Sequence, residues 1–170
     1  MHANNRTSAK LLPARPATLG SLGLWLLLLV SATGCPSVND PYAPFPVPNF
    51  VDFVTKVQPV IGRHCASAAC HGSVGRSLTF YAVDYLRAPP AFSDTPLDEK
   101  HLTDAELAWN YDALRMRIRG ETSADQSRLL LKTLDPKLGG IRHGDGFVIF
   151  ADRNQSDFKT LHDWIAGGLK

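Results

Sequence analysis

Residues 1–34 carry Arg6, Lys10 and Arg15 with no acid, then the apolar run Leu22–Val30, then Ser31-Ala32-Thr33-Gly34 before Cys35. This order of basic, apolar and small residues reads as a secretory signal, and the apolar run is too short to span a bilayer. It constrains the fold strongly, because it removes the most apolar stretch of the chain from any core. The 136 residues that follow, out of 170, suit one small domain with one core.

A cysteine directly after that small-residue stretch resembles a bacterial lipoprotein signal, although Ala32 stands where Leu is usual. On this reading Cys35 is the acylated first residue after cleavage, and its acyl chains hold an exported protein at a membrane surface, on the periplasmic side of a bacterial membrane. The other reading is an ordinary secretory signal with Cys35 as an odd thiol. Without residues 1–34, Lys+Arg falls from 18 to 15 against 16 Asp+Glu, so the formal charge goes from +2 to about −1. No basic stripe remains to argue for a nucleic-acid partner. Residues 35–49 contain Pro36, Pro41, Pro44, Pro46 and Pro48, which block helix and sheet and favour an extended tether. The foldable segment is 50–170.

Within it the periodicity is helical. Phe50, Phe53, Val54, Val57, Val60 and Ile61 predict an amphipathic first helix, with a kink or restart at Pro59. Residues 77–87 read as an extended piece and a short helical turn, and 89–100 as a surface loop. Thr103 with Glu106 forms a capping-box signature that opens a helix with Leu107, Tyr111, Leu114 and Ile118 on one face and Gly120 at its end. A short helix is expected over 127–134, then a glycine-rich stretch, 135–153. A last helix from about 154–156 presents Phe158, Leu161, Trp164 and Ile165 and stops at Gly167-Gly168. The fold class is mostly α with long loops.

Between the first helix and the first loop lies Cys65-Ala66-Ser67-Ala68-Ala69-Cys70-His71. Two thiols followed at once by an imidazole resemble the covalent haem-attachment motif C-x-x-C-H, with a spacer of four residues instead of two. The two extra residues must bulge, and the small side chains of 66–69 fit that need. A disulfide between Cys65 and Cys70 is the competing reading. Adding His64 gives a Cys2His2 set, but its adjacent pairs do not match the usual spaced zinc ligands.

The resemblance extends well beyond the cysteines. Val57-Gln58-Pro59-Val60-Ile61, Cys70-His71-Gly72, Leu78-Thr79-Phe80, Ser127-Arg128-Leu129-Leu130 and Leu161-His162-Asp163-Trp164-Ile165-Ala166-Gly167-Gly168, in that order, resemble the planctomycete-type cytochrome c domains of exported bacterial proteins. The resemblance implies a small class I cytochrome c-like domain with haem c held by Cys65 and Cys70 and the iron ligated by His71. In that family a methionine before the last helix is the common sixth ligand. This chain offers there His143, among Gly139, Gly140, Gly144 and Gly146, and glycine lets the backbone pass close to a flat cofactor. His143 is thus the expected distal ligand, and a solvent-exposed loop histidine is its alternative. Met116, inside the capped helix, reads as core.

His101 and His162 read as solvated, and Trp109, Tyr111, Phe158 and Trp164 as core or cofactor packing. Arg115, Arg117, Arg119 and Arg128 read as a solvated helix face, with haem propionates as the alternative partner. No nucleophile motif, phosphate loop or acid–base pair emerges, so an electron carrier with a redox partner protein is favoured over a catalyst. The alternative is a haem-free exported lipoprotein that serves as an interaction module.

Overall fold

The computed structural model describes residues 45–92, 96–144 and 146–169, all within the unit Val38–Lys170. Cys35, the expected signal segment and most of the expected tether lie outside the described residues. Among the described residues the structure is mostly helical with no strand; one isolated parallel bridge joins Leu134 to Phe150. No helix among them is long and apolar enough to cross a membrane.

The first helical stretch has three parts: α1 (Phe50–Asp52), a π-helical turn (Phe53–Val57) and α2 (Gln58–His64). Asn49 caps it, its side chain accepting from the Asp52 amide at 2.8 Å. Pro59 sits in the first turn of α2, where its missing N–H costs nothing, and the π turn absorbs the change by bonding the Gln58 amide to the Phe53 carbonyl. The expected restart is therefore a π bulge. Residues 77–87 make an extended piece and a turn closed by Tyr85 N–H to the Ala82 carbonyl, with no helix.

Helix α3 (Asp104–Arg117) opens with the expected capping box: Thr103 Oγ1 accepts from the Glu106 amide, and the Glu106 carboxylate accepts from the Thr103 amide. It ends near Gly120, whose φ of 78° is left-handed. Its buried face differs from the expected one. Glu106, Asn110 and Leu114 point inward, followed by the cap residue Ile118, whereas Leu107 and Tyr111 are half-buried. The rotation is stable because both inward polar groups are satisfied. Glu106 forms a bidentate ion pair with Arg87 and accepts from the Ala88 amide, while Asn110 accepts from the Tyr81 amide and donates to the Tyr81 carbonyl and Gln58 Oε1. Burial pushes the Glu106 carboxyl up, but these hydrogen bonds and the guanidinium charge win and hold it at about 2.

Helices α4 (Arg128–Thr133) and α5 (Ser156–Gly168) complete the core. Phe158, Leu161, Trp164 and Ile165 of α5 are buried as the periodicity predicts. Trp164 packs on Phe53 and donates to the Asn49 carbonyl at 2.9 Å, tying the last helix to the start of the first. α5 ends at Gly168, where the glycine pair predicted its stop. A Cβ there would come within 2.7 Å of Pro48, so glycine lets the chain at Pro48 cross the helix.

Candidate functional site

The end of α2 delivers Cys65, whose amide bonds the Ile61 carbonyl at 2.8 Å. Beyond it the spacer closes on itself. The Ser67 carbonyl accepts from the Cys70 and Gly72 amides, and the Cys65 carbonyl accepts from the His71 amide, each at 2.9 Å. The four-residue spacer is thus a hydrogen-bonded turn, which returns His71 to Cys65. Within this turn Ala66 is buried in the core, whereas Ala68 and Ala69 project outward and are exposed. The turn depends on Gly72, since a Cβ there would lie 1.8 Å from the Ala66 carbonyl oxygen.

His71 is oriented by backbone. Its Nδ1 lies 2.9 Å from the Leu78 carbonyl oxygen, and its own carbonyl accepts from the Phe80 amide at 2.8 Å. A carbonyl can only accept, so Nδ1 carries the proton and the neutral ring keeps its lone pair at Nε2. That is the tautomer and the supporting contact of a metal-ligating imidazole. The Phe80 ring meets the imidazole edge to face at 5.7 Å.

His143 arrives from the glycine-rich stretch, which is pinned at both ends. The Phe150 amide bonds the Thr133 carbonyl at 2.8 Å and the Asp135 amide bonds the Phe150 carbonyl at 3.0 Å, closing the base of the loop. Nearer the tip, the Ile141 amide reaches the Leu131 carbonyl at 2.7 Å and Lys132 Nζ reaches the Arg142 carbonyl at 2.7 Å. Gly140 permits this approach, because a Cβ there would lie 2.1 Å from the Leu134 carbonyl oxygen. The loop brings the His143 ring to 5.8 Å from that of His71, at 89°.

Both imidazoles and both cysteines line one cavity of about 480 Å³. Its apolar wall includes Ile61, Phe80, Leu114, Leu129, Ile149 and Leu161, and its charged wall carries Arg117, Arg119, Arg128 and Lys132 with Glu121. Such a volume, mainly apolar with a few convergent polar groups, lies in the range of cofactor pockets. Both thiols are free. Burial pushes the Cys65 thiol up to about 12, with the Cys70 charge adding to the effect, so Cys65 is a protonated thiol at neutral pH. Two thiols, an imidazole with its Nε2 lone pair available and a second imidazole on the same cavity suit a covalently attached, metal-bearing flat cofactor. The basic wall suits acidic substituents on its edge.

Other residues fall elsewhere. His64 Nε2 lies 2.8 Å from Asp157 Oδ2, in a clamp completed by Arg63 Nη2, which donates to both carboxylate oxygens, so that His64 nitrogen is occupied by Asp157. Burial pushes the Asp157 carboxyl up, but the Arg63 and His64 hydrogen bonds bring it below its ordinary value. Among the described residues no three His, Cys, Asp or Glu side chains converge on a metal position by themselves. His101 is exposed and meets Asp98, and His162 meets Asp125 and Asp163. Met116 is not core: it is 54% exposed and lines the cavity. Trp109, at 45% exposed, packs on Tyr81 and Phe92. Arg117, Arg119 and Arg128 face the cavity, whereas Arg115 pairs with Asp112. The Leu78 carbonyl, Glu121 and Lys132 escape sequence reading; a backbone acceptor leaves no residue signal, and no spacing pattern marks the other two.

No family model, curated protein or solved structure matches the chain.

Proposed function

We propose that the chain is a monohaem c-type cytochrome of class I-like build, exported, lipid-anchored through Cys35, and passing single electrons to and from a redox partner protein outside the cytoplasm. The observation that carries this reading is the Nδ1–H of His71 held by the Leu78 carbonyl, on a cavity shared with Cys65, Cys70 and His143. Haem, when bound, supplies the one-electron couple of its iron, and the chain supplies attachment, ligation and a low-dielectric surround. Cys65 and Cys70 would hold the group through thioethers, and His71 and His143 would ligate its iron. The Leu78 carbonyl fixes the direction of the His71 ring. Arg117 and Arg128 would donate hydrogen bonds to the propionates. Two imidazole ligands set a lower potential than imidazole with methionine.

The test is a pyridine haemochrome spectrum and intact mass of protein matured in a haem-attaching host. A c-type spectrum with a covalent haem adduct is expected. A folded domain with no haem, and a mass lower by two hydrogens, would replace the reading with a Cys65–Cys70 disulfide in an interaction module. Replacing His143 by Ala should change the spectrum of the oxidised protein and raise its potential, and an unchanged spectrum would dismiss its ligand role.

A further inference from the structure

The charged wall of the cavity contains one acid. Glu121 follows the left-handed Gly120 at the end of α3, and its Oε1 accepts from the Arg128 amide at 2.9 Å. Its Oε2 and the hydroxyl of the fully buried Ser127 are both buried without a hydrogen-bond partner. A buried carboxylate oxygen without a donor is costly, and protonation removes the cost.

The groups that face it come from each wall: Arg117 and Arg119 from the end of α3, Arg128 and Lys132 from α4, Cys70 and His71 from the attachment turn, and His143 from the glycine-rich loop. Cys65 and His64 lie at the end of α2 on the same cavity. The cations do not simply quench the acid. The guanidinium of Arg117 donates to the Ser77 carbonyl, Lys132 donates to the Arg142 carbonyl, and Arg119 lies over the Phe45 ring at 4.1 Å. Burial accordingly pushes the Glu121 carboxyl above its ordinary value, although Ser127 and Arg128 act in the opposite sense.

We propose that Glu121 is a proton-accepting site coupled to the redox state of the cofactor in this cavity. The inference rests on the haem reading above. When a donor protein delivers one electron, Glu121 takes one proton from solvent onto Oε2, so the charge of the cavity is unchanged. On oxidation the electron leaves to an acceptor protein and Glu121 returns the proton to solvent. The added electron raises the proton affinity of a nearby carboxylate, and by linkage the carboxylate lowers the midpoint potential.

The test is potentiometric titration of the holoprotein across the neutral pH range, with Glu121→Gln and Glu121→Asp beside the parent. Glutamine keeps an acceptor for the Arg128 amide, and far-UV circular dichroism checks the fold. The parent potential should fall as pH rises; Glu121→Gln should lose the dependence and sit higher at alkaline pH, and Glu121→Asp should restore it. The redox-difference infrared spectrum should contain a protonated-carboxyl band that is absent from Glu121→Gln. Normal haem content with the same pH dependence in Glu121→Gln, or no pH dependence in the parent, overturns this proposal alone. Absence of covalent haem in the parent overturns the cytochrome reading and this proposal with it.

Discussion

Replacing Gly72 by Ala should open the turn that holds Cys65, Cys70 and His71 together. The glycine has no positive φ, so alanine suits its backbone, and the effect isolates the close approach. The new Cβ would stand 1.8 Å from the Ala66 carbonyl oxygen and 2.7 Å from its carbon, against a practical floor of 3.0 Å. The obstacle is backbone, and Ala66 is fully buried, so the turn must shift by about 1.2 Å. A shift of that size breaks the 2.9 Å bonds from Gly72 to Ser67 and from His71 to Cys65. Two hydrogen bonds at about 1 kcal/mol each, with about 1–3 kcal/mol of overpacking, give a loss of about 3–5 kcal/mol. Gly62 in α2 is the control, because a Cβ there meets nothing within 4 Å. Gly62→Ala should be neutral or stabilising, by up to about 1 kcal/mol, through helix propensity alone. Urea denaturation followed by circular dichroism reads both, and haemochrome yield reads the attachment site. Equal stability of Gly72→Ala and Gly62→Ala, with unchanged haem content, would refute the turn as the element that assembles the site.

Glu106→Gln should cost about 3 kcal/mol at neutral pH by stranding Arg87, measured by thermal or urea unfolding. Because the Glu106 carboxyl is held at about 2, its contribution is present above its unfolded value near 4.5 and is lost as pH falls towards 2. The acid limb of the parent stability curve should flatten in that variant. Asn110→Leu should cost about 2–5 kcal/mol, since it leaves the Tyr81 amide and Gln58 Oε1 buried without partners; a loss below about 1 kcal/mol would show that this side of α3 does not face the core. In haem-free protein, Cys65 should resist alkylation at mildly alkaline pH until the domain unfolds, as a half-buried thiol pushed up to about 12 requires. Mass-spectrometric mapping checks this, and rapid labelling of Cys65 in the folded state contradicts it.

What the sequence determined by itself is what short-range chemistry decides. Thr103 and Glu106 are three residues apart, so their capping box is written locally and the start of α3 is read without a structure. Pro59 must interrupt an amide ladder wherever it lies, and the α5 stripe from Phe158 to Ile165 is apolar and therefore inward. The pairing of Cys70 with His71, and the presence of a histidine among glycines before the last helix, are likewise properties of the chain.

The rest was decided by partners distant in sequence. The buried face of α3 turned from Leu107 and Tyr111 to Glu106 and Asn110, because Arg87, Tyr81 and Gln58 lie where they can satisfy those polar groups, and a hydrophobicity pattern cannot register that. Met116 became a cavity residue for the same reason, as the helix rotated with its anchors. At glycines 72, 140 and 168 another stretch of backbone or a proline comes too near for a Cβ, which no local pattern records. The tautomer of His71 depends on a carbonyl brought up by folding, and the burial of Glu121 Oε2 without a donor likewise depends on the fold. Sequence supplied the donors, and the tertiary fold set which atom of each one faces the cavity.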